Sequence, residues 1–156
     1  MAIVAARWNA EITDALAAGA ERAAREAGAQ VDVYRVAGSF ELPGAVAVLC
    51  ATGRYEAVVP IGCLIRGETP HFEVLADAVA AGIVELSISY PVAVPFGVLT
   101  CDTLAQARAR AGGRKGNKGA QAMEAALETV ALYRSLASSQ RRSARRASSA
   151  AARSTS

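Results

Sequence analysis

Aromatic side chains are scarce in this chain, with three Phe, four Tyr and one Trp among 156 residues, and there is a single histidine. The three cysteines, Cys50, Cys63 and Cys101, are odd in number, widely spaced and free of any C-x-x-C pair. That pattern argues against a disulfide framework or a zinc site and for free thiols in a reducing compartment. No apolar run approaches the roughly 18 residues needed to span a membrane. The N-terminus carries no basic region followed by an apolar segment and a cleavage site, so no secretory signal is expected. A cytoplasmic protein without metal or membrane attachment is the expectation.

What is abundant is small and aliphatic. Hydrophobic residues make up 53% of the chain, mostly Ala and Val, enough for a real core in one compact domain. The net charge of +3 is unevenly spread. Arg141, Arg142, Arg145, Arg146 and Arg153 lie in residues 138–156, which contain no acid. Setting those five aside from seventeen basic residues leaves twelve against fourteen acids, so the body is about −2. The tail is otherwise Ser, Ala, Gln and Thr, with nothing to bury, and its composition predicts disorder. It reads as a solvated appendage; nucleic acid or another polyanion is a partner only through this segment.

The order of elements is legible from periodicity. A buried strand is expected at Ala2–Ala6 and a helix near 10–28, capped by Asn9 and closed by Gly28. A second strand follows at 31–36, then a helix near 41–53 with Pro43 in its first turn, then a third strand at 57–61. Thr69 as N-cap and Pro70 at the first helical position predict a helix ending near Gly82, with Phe72, Leu75, Val79 and Ile83 as its core stripe. Residues 83–89 and 92–100 read as strands. Helices near 103–111 and 117–137 complete the body. Alternating strands and helices of these lengths predict an α/β fold with helices on both faces of a parallel sheet.

In an open parallel sheet, ligands bind beyond the carboxyl ends of the strands. Three unusual loops fall there: Arg7-Trp8-Asn9, Gly38-Ser39-Phe40-Glu41, and the junction Gly62-Cys63-Leu64-Ile65-Arg66-Gly67-Glu68-Thr69-Pro70-His71-Phe72. The junction gathers free backbone N–H groups at a helix start, which favours an anion such as phosphate. Beside it stands His71, the side chain suited to proton transfer near neutrality. Trp8 and Phe40 could stack on a flat heteroaromatic ligand while Ser39 and Glu41 bond its edge. Each residue also has a plainer reading. Asn9 and Thr69 serve as caps, Glu41 and Glu68 complement helix N-termini, and Cys63 is a small buried hydrophobe. Gly116-Asn117-Lys118-Gly119 lacks the spacing and the preceding strand of a phosphate loop, which rules out a P-loop nucleoside triphosphatase.

These segments resemble the lumazine synthase family of riboflavin biosynthesis. The resemblance rests on Arg7-Trp8-Asn9, Gly38-Ser39-Phe40-Glu41-Leu42-Pro43, residues 62–72, Phe96-Gly97-Val98-Leu99-Thr100, Arg110-Ala111-Gly112 and Gly116-Asn117-Lys118-Gly119, in the family's order from about residue 2 to 137. It implies a three-layer α/β/α sandwich around a four-stranded, mainly parallel sheet of flavodoxin-like type. Domain limits follow at 1–137, with 138–156 outside. It implies condensation of 5-amino-6-(D-ribitylamino)uracil with 3,4-dihydroxy-2-butanone 4-phosphate, without cofactor or metal. Trp8, Asn9, Ser39, Phe40, Glu41, Cys63, Leu64 and Ile65 would hold the pyrimidine and its ribityl chain, with Phe96 stacking on the ring and Lys118 adding positive charge. Glu68, Thr69 and Arg110 would hold the butanone phosphate, and His71 would move protons.

The resemblance further implies a homopentamer with active sites between subunits, to which Phe96, Arg110 and Lys118 come from the neighbour. Members with an uninterrupted Gly-Asn-Lys-Gly segment form sixty-subunit shells, and riboflavin synthase is a candidate partner. The chain starts almost at its first core strand, where members usually carry an extension that adds a strand to the neighbour's sheet. Trp8 stands where phenylalanine is common. The alternatives are an archaeal-type riboflavin synthase and a flavin- or lumazine-binding scaffold without turnover.

Overall fold

A computed structural model describes residues 1–154, with side-chain exposure described through Arg145 and at Ser148. The elements in chain order are β1 (Ala2–Ala6), α1 (Ala10–Glu26), β2 (Asp32–Val36), a 3-10 turn (Ser39–Glu41), α2 (Leu42–Ala51), β3 (Val58–Ile65), α3 (His71–Ser89), β4 (Gly97–Cys101), α4 (Leu104–Arg110), β5 (Ala111–Gly113), β6 (Gly116–Asn117) and α5 (Lys118–Ser154). β1 to β4 form one sheet in the order β2-β1-β3-β4, every pair parallel. β5 and β6 make a small antiparallel hairpin beside it.

Both faces of the sheet are covered, which is why its central strands are apolar throughout. Side chains alternate along a strand, so Ile3 and Ala5 point to one face and Ala2 and Val4 to the other. Ile3, Ala5, Val59 and Ile61 pack with Ile12 and Leu16 of α1 and Met123, Ala126 and Val130 of α5. Ala2, Val4 and Val58 pack with Leu42 and Val46 of α2 and Val79 and Ile83 of α3. Each such aliphatic side chain, removed from water, contributes about 1.5–3 kcal/mol before conformational entropy is counted. The result is the three-layer sandwich.

Four local expectations are corrected. Residues 83–89 are helical, not a strand, because α3 continues through Gly82 to Ser89. Gly82 does not take a left-handed conformation. It faces Pro43, where an added Cβ would lie 3.0 Å from the proline Cβ, so the missing side chain lets α3 approach α2. β4 is shorter than 92–100 because Pro91 and Pro95 withhold ladder donors, and Ala93 makes only an isolated bridge to Ala57. β3 runs on to Ile65, so Cys63, Leu64 and Ile65 lie in the ladder opposite Leu99, Thr100 and Cys101.

The fourth correction concerns capping. Asn9 precedes α1 but makes no side-chain cap; it sits at φ 57°, and its amide leaves the helix altogether. At α3, Pro70 precedes the first helical residue, and the Thr69 hydroxyl accepts a long bond of 3.4 Å from the His71 N–H. Thr103 does cap α4, accepting from the Gln106 N–H.

α5 continues to Ser154, through most of the segment whose composition predicts disorder, while residues 155 and 156 lie outside the described residues. Ala and Arg are strong helix formers, and α5 is already nucleated by its packing on α1. Among the described residues, no helix is long and apolar enough to cross a membrane.

Candidate active site

The carboxyl ends of β1, β2 and β3 open into a cavity of about 260 Å³ lined by Trp8, Asn9, Ser39, Cys63, Leu64, Ile65, Gly67, Thr69, His71, Phe72 and Leu75. Two close approaches shape its floor. An added Cβ at Gly62 would lie 2.5 Å from Ser39 Oγ, and one at Gly38 would lie 2.5 Å from Trp8 Cε3. Glycine at these positions lets the 3-10 turn settle on β3 and lets the indole lie against the backbone. Trp8 nevertheless keeps 66% of its surface exposed, as a stacking platform would.

Polar groups around this cavity are unevenly committed. Asn9 Nδ2 donates to the Cys63 carbonyl at 2.9 Å, tying the end of β1 to β3, so Asn9 lines the wall as a brace. Glu41 accepts from the Gly38 N–H at 2.9 Å and closes the turn. Ser39 is 4% exposed, yet its hydroxyl has no hydrogen-bond partner among the described residues and borders the cavity. Cys63 is not an activated nucleophile. Burial first, and Cys101 second, push its thiol up to about 12.

The N–H groups of Gly67, Glu68 and Thr69 find no acceptor among the described residues, and they lie just ahead of α3, whose N-terminal dipole favours negative charge. The His71 imidazole stands exposed at the first helical position.

Arg66 fixes this junction, and sequence reasoning did not single it out. Its N–H donates to the Cys101 carbonyl at 2.9 Å, Nε donates to Asp102 at 2.7 Å, a terminal nitrogen donates to Glu73, and the guanidinium stacks 4.5 Å from the Phe72 ring centroid. The partner Asp102 lies 36 residues away, so no local motif announces it.

Phe96, Arg110 and Lys118 are not brought to the first cavity. They line a second one of about 230 Å³, together with the β4 backbone. Phe96 is half-exposed. Arg110 donates one bond to the Gln106 carbonyl, and Lys118 donates to Gln121 Oε1 at 2.7 Å. Asn117 positions Lys118: its amide donates to the Ala15 carbonyl at 2.9 Å and its Oδ1 accepts from the Ala120 N–H at 3.0 Å, capping α5. Phe40, Glu41 and Glu68 flank the first cavity without lining it. Among the described residues there is no cluster of three or more His, Cys, Asp or Glu that could hold a metal.

Fold and site together define an α/β enzyme of the layered-sandwich class, whose candidate functional residues divide between one cavity lined by Trp8, Ser39 and His71 and another lined by Phe96, Arg110 and Lys118. The family model for 6,7-dimethyl-8-ribityllumazine synthase matches residues 1–134. The chain is 52% identical over 140 residues to the 6,7-dimethyl-8-ribityllumazine synthase of Frankia casuarinae, covering 87% of this chain and 86% of the relative. It is 49% identical over 140 residues to the enzyme so named from Kineococcus radiotolerans, covering 88% and 86%. It is 46% identical over 139 residues to that of Anaeromyxobacter dehalogenans strain 2CP-C, covering 87% and 86%. The chain belongs to the 6,7-dimethyl-8-ribityllumazine synthase family.

Proposed function

We propose that this protein condenses 5-amino-6-(D-ribitylamino)uracil with 3,4-dihydroxy-2-butanone 4-phosphate to 6,7-dimethyl-8-ribityllumazine, releasing phosphate and water, in a site shared by two copies of the chain. The observation that carries the shared site is the division of the functional side chains between two separate cavities. Each is incomplete for two substrates. A neighbouring copy that brings its Phe96, Arg110 and Lys118 to the His71 cavity completes one site and leaves its own His71 cavity for the next copy, a heterologous contact that closes into a ring. Exposed apolar residues on α2 and α3, Val48, Val74, Val84 and Ile88, supply a surface for such association. The family reading makes the ring a pentamer, within reach of a sixty-subunit shell, in the cytoplasm, with riboflavin synthase as the consumer of its product. Residues 1–137 form the catalytic domain.

Each step uses a group described above. The pyrimidine lies against Trp8 and Phe40, with the free Ser39 hydroxyl and the strand-end backbone from Cys63 to Ile65 on its edge. Glu41 holds the turn that presents Phe40. The butanone phosphate sits on the Gly67, Glu68 and Thr69 N–H groups, and Arg110 of the neighbour adds a charge-assisted, bidentate pair. The pyrimidine amine attacks the ketone, whose oxygen leaves as water, to form an imine. Phosphate then leaves into a cradle built for negative charge, and ring closure with loss of a second water gives the product. His71 takes and returns the protons these steps move, worth roughly 10²–10⁴-fold. Holding two already reactive substrates together supplies much of the rest.

Mixing purified protein with both substrates and following lumazine absorbance tests the reading. Product from lumazine alone would identify a riboflavin synthase, and tight binding without product would identify a scaffold. Sedimentation of the same samples tests whether activity follows the assembled species.

A further inference from the structure

We propose that the C-terminal arm of α5 is a nucleic-acid binding surface that engages the phosphodiester backbone through a one-sided row of arginines, an activity beyond the condensation. The arm lies outside the residues matched by the family model, which end at 134. Among the described residues, the last side-chain hydrogen bonds from α5 to the body are those of Arg134 to Glu56. Beyond them α5 continues to Ser154, with Arg141, Arg142 and Arg145 exposed around a shallow surface groove that also includes Ser138.

Helical register turns composition into a surface. At 3.6 residues per turn, Arg141, Arg142 and Arg145 fall within an arc of about 100°, over about 6 Å of axis. All five basic residues of the segment 138–156 are arginine and none is lysine. A guanidinium is the side chain suited to bidentate phosphate contact. Residues 138–156 hold no acid to compete for them, whereas the rest of the chain carries a net charge of about −2.

The same segment disfavours other partners. From Ala137 to the end there is no Val, Ile, Leu, Met, Phe, Tyr or Trp. A helix that lies in a membrane surface needs an apolar face to bury, and a protein interface needs an apolar or aromatic core. A strand of phosphates needs neither.

The test uses the intact protein. A labelled 20-nucleotide single-stranded RNA is titrated by fluorescence anisotropy between 50 and 200 mM salt, with duplex DNA of the same length in parallel. Five engaged arginines predict a log–log salt slope of up to about −3.5 on single strands, so affinity falls by up to about 100-fold across that range. The variant R141Q/R142Q/R145Q/R146Q is expected to bind at least tenfold more weakly while forming lumazine at the parent rate, which also shows that it is folded. Binding of either nucleic acid with this dependence supports the proposal, and comparing the two arms says which polymer is preferred. No binding at 50 mM salt, undiminished binding by the variant, or equal or tighter binding to polyglutamate or to phosphatidylserine vesicles would overturn it.

Discussion

Arg66 Nε donates to Asp102 Oδ1 at 2.7 Å, and the same guanidinium bonds Glu73 and stacks on Phe72. One side chain thereby joins the ends of β3 and β4 to the first turn of α3, which carries His71. The loop from Gly67 to Thr69, the proposed seat of the butanone phosphate, hangs between those anchors. Asp102 is also where the chain turns toward α4 and Arg110, and its N–H is held by Gln106 Oε1 at 2.9 Å.

Replacing Arg66 by Gln should therefore disturb turnover more than stability. Its ion pairs are partly exposed and worth about 0.2–1 kcal/mol each, so the melting temperature should fall only a few degrees. The kcat/KM for the butanone phosphate should drop about tenfold, equivalent to about 1.4 kcal/mol of transition-state binding. Lys at this position should recover little, because it cannot fork between two carboxylates. Unchanged kinetics beside a lowered melting temperature would reduce Arg66 to a stability role.

His71→Ala should slow lumazine formation by roughly 10²-fold without abolishing it, since approximation of the substrates persists. Steady-state rates at saturating substrates read this directly. A variant with the parent rate would remove His71 from the proton path.

Arg110→Ala should raise KM for the butanone phosphate at least tenfold and leave KM for the pyrimidine nearly unchanged. A further readout comes from mixing. H71A and R110A chains, unfolded and reassembled together in equal amounts, should regain about a quarter of parental activity, because some neighbouring pairs then combine an intact His71 with an intact Arg110. No gain on mixing would place both residues in one chain's site.

Gly62→Ala puts a methyl group 2.5 Å from Ser39 Oγ and 2.9 Å from Leu42 Cδ1. Overpacking of this kind costs about 1–3 kcal/mol and should push the 3-10 turn, with Phe40, off β3. Chemical denaturation, with pyrimidine binding measured alongside, would reveal both effects. A variant as stable as the parent would contradict the close approach.

Cys63 is pushed up to about 12 from an ordinary 9.0, burial being the main cause. In the unfolded chain the thiol ionises near its ordinary value, so below pH 9 both states hold the proton and the full stability is present. As pH rises from 9 toward 12, the unfolded chain loses its proton first and stability falls. Burial raises Cys50 and Cys101 in the same direction. Denaturant melts between pH 8 and 11 should show the decline, and thiol labelling at pH 8 should be slow until denaturant is added. Fast labelling of all three thiols in the folded protein would contradict their burial.

The layered fold was legible because its cues are local. Strand β1, the start of α1 and the helix on either side of Pro43 follow from alternation, periodicity and turn residues. The misread stretch, Ile83-Val84-Glu85-Leu86-Ser87-Ile88, is apolar on more than one side, and short apolar runs do not separate helix from strand. α3 buries Ile83 but leaves Val84 and Ile88 exposed, so part of that apolar character lies outside the chain's own core. The first cavity was legible because strand ends converge by topology. The separation of Phe96, Arg110 and Lys118 from His71 was not readable from spacing, nor was the Asn9 brace to Cys63, since both depend on the placement of distant strands.

In the proposed site shared by neighbouring copies, dividing the functional groups between two cavities also governs how damage spreads. A chain that has lost both Arg110 and His71 disables the site on either side of it, so one neighbour's His71 cavity falls silent together with its own. In a mixed population the surviving activity follows the square of the intact fraction rather than the fraction itself. A defective allele of this protein would accordingly behave as a partial poison of the sound one, in proportion to how freely the two products share a ring.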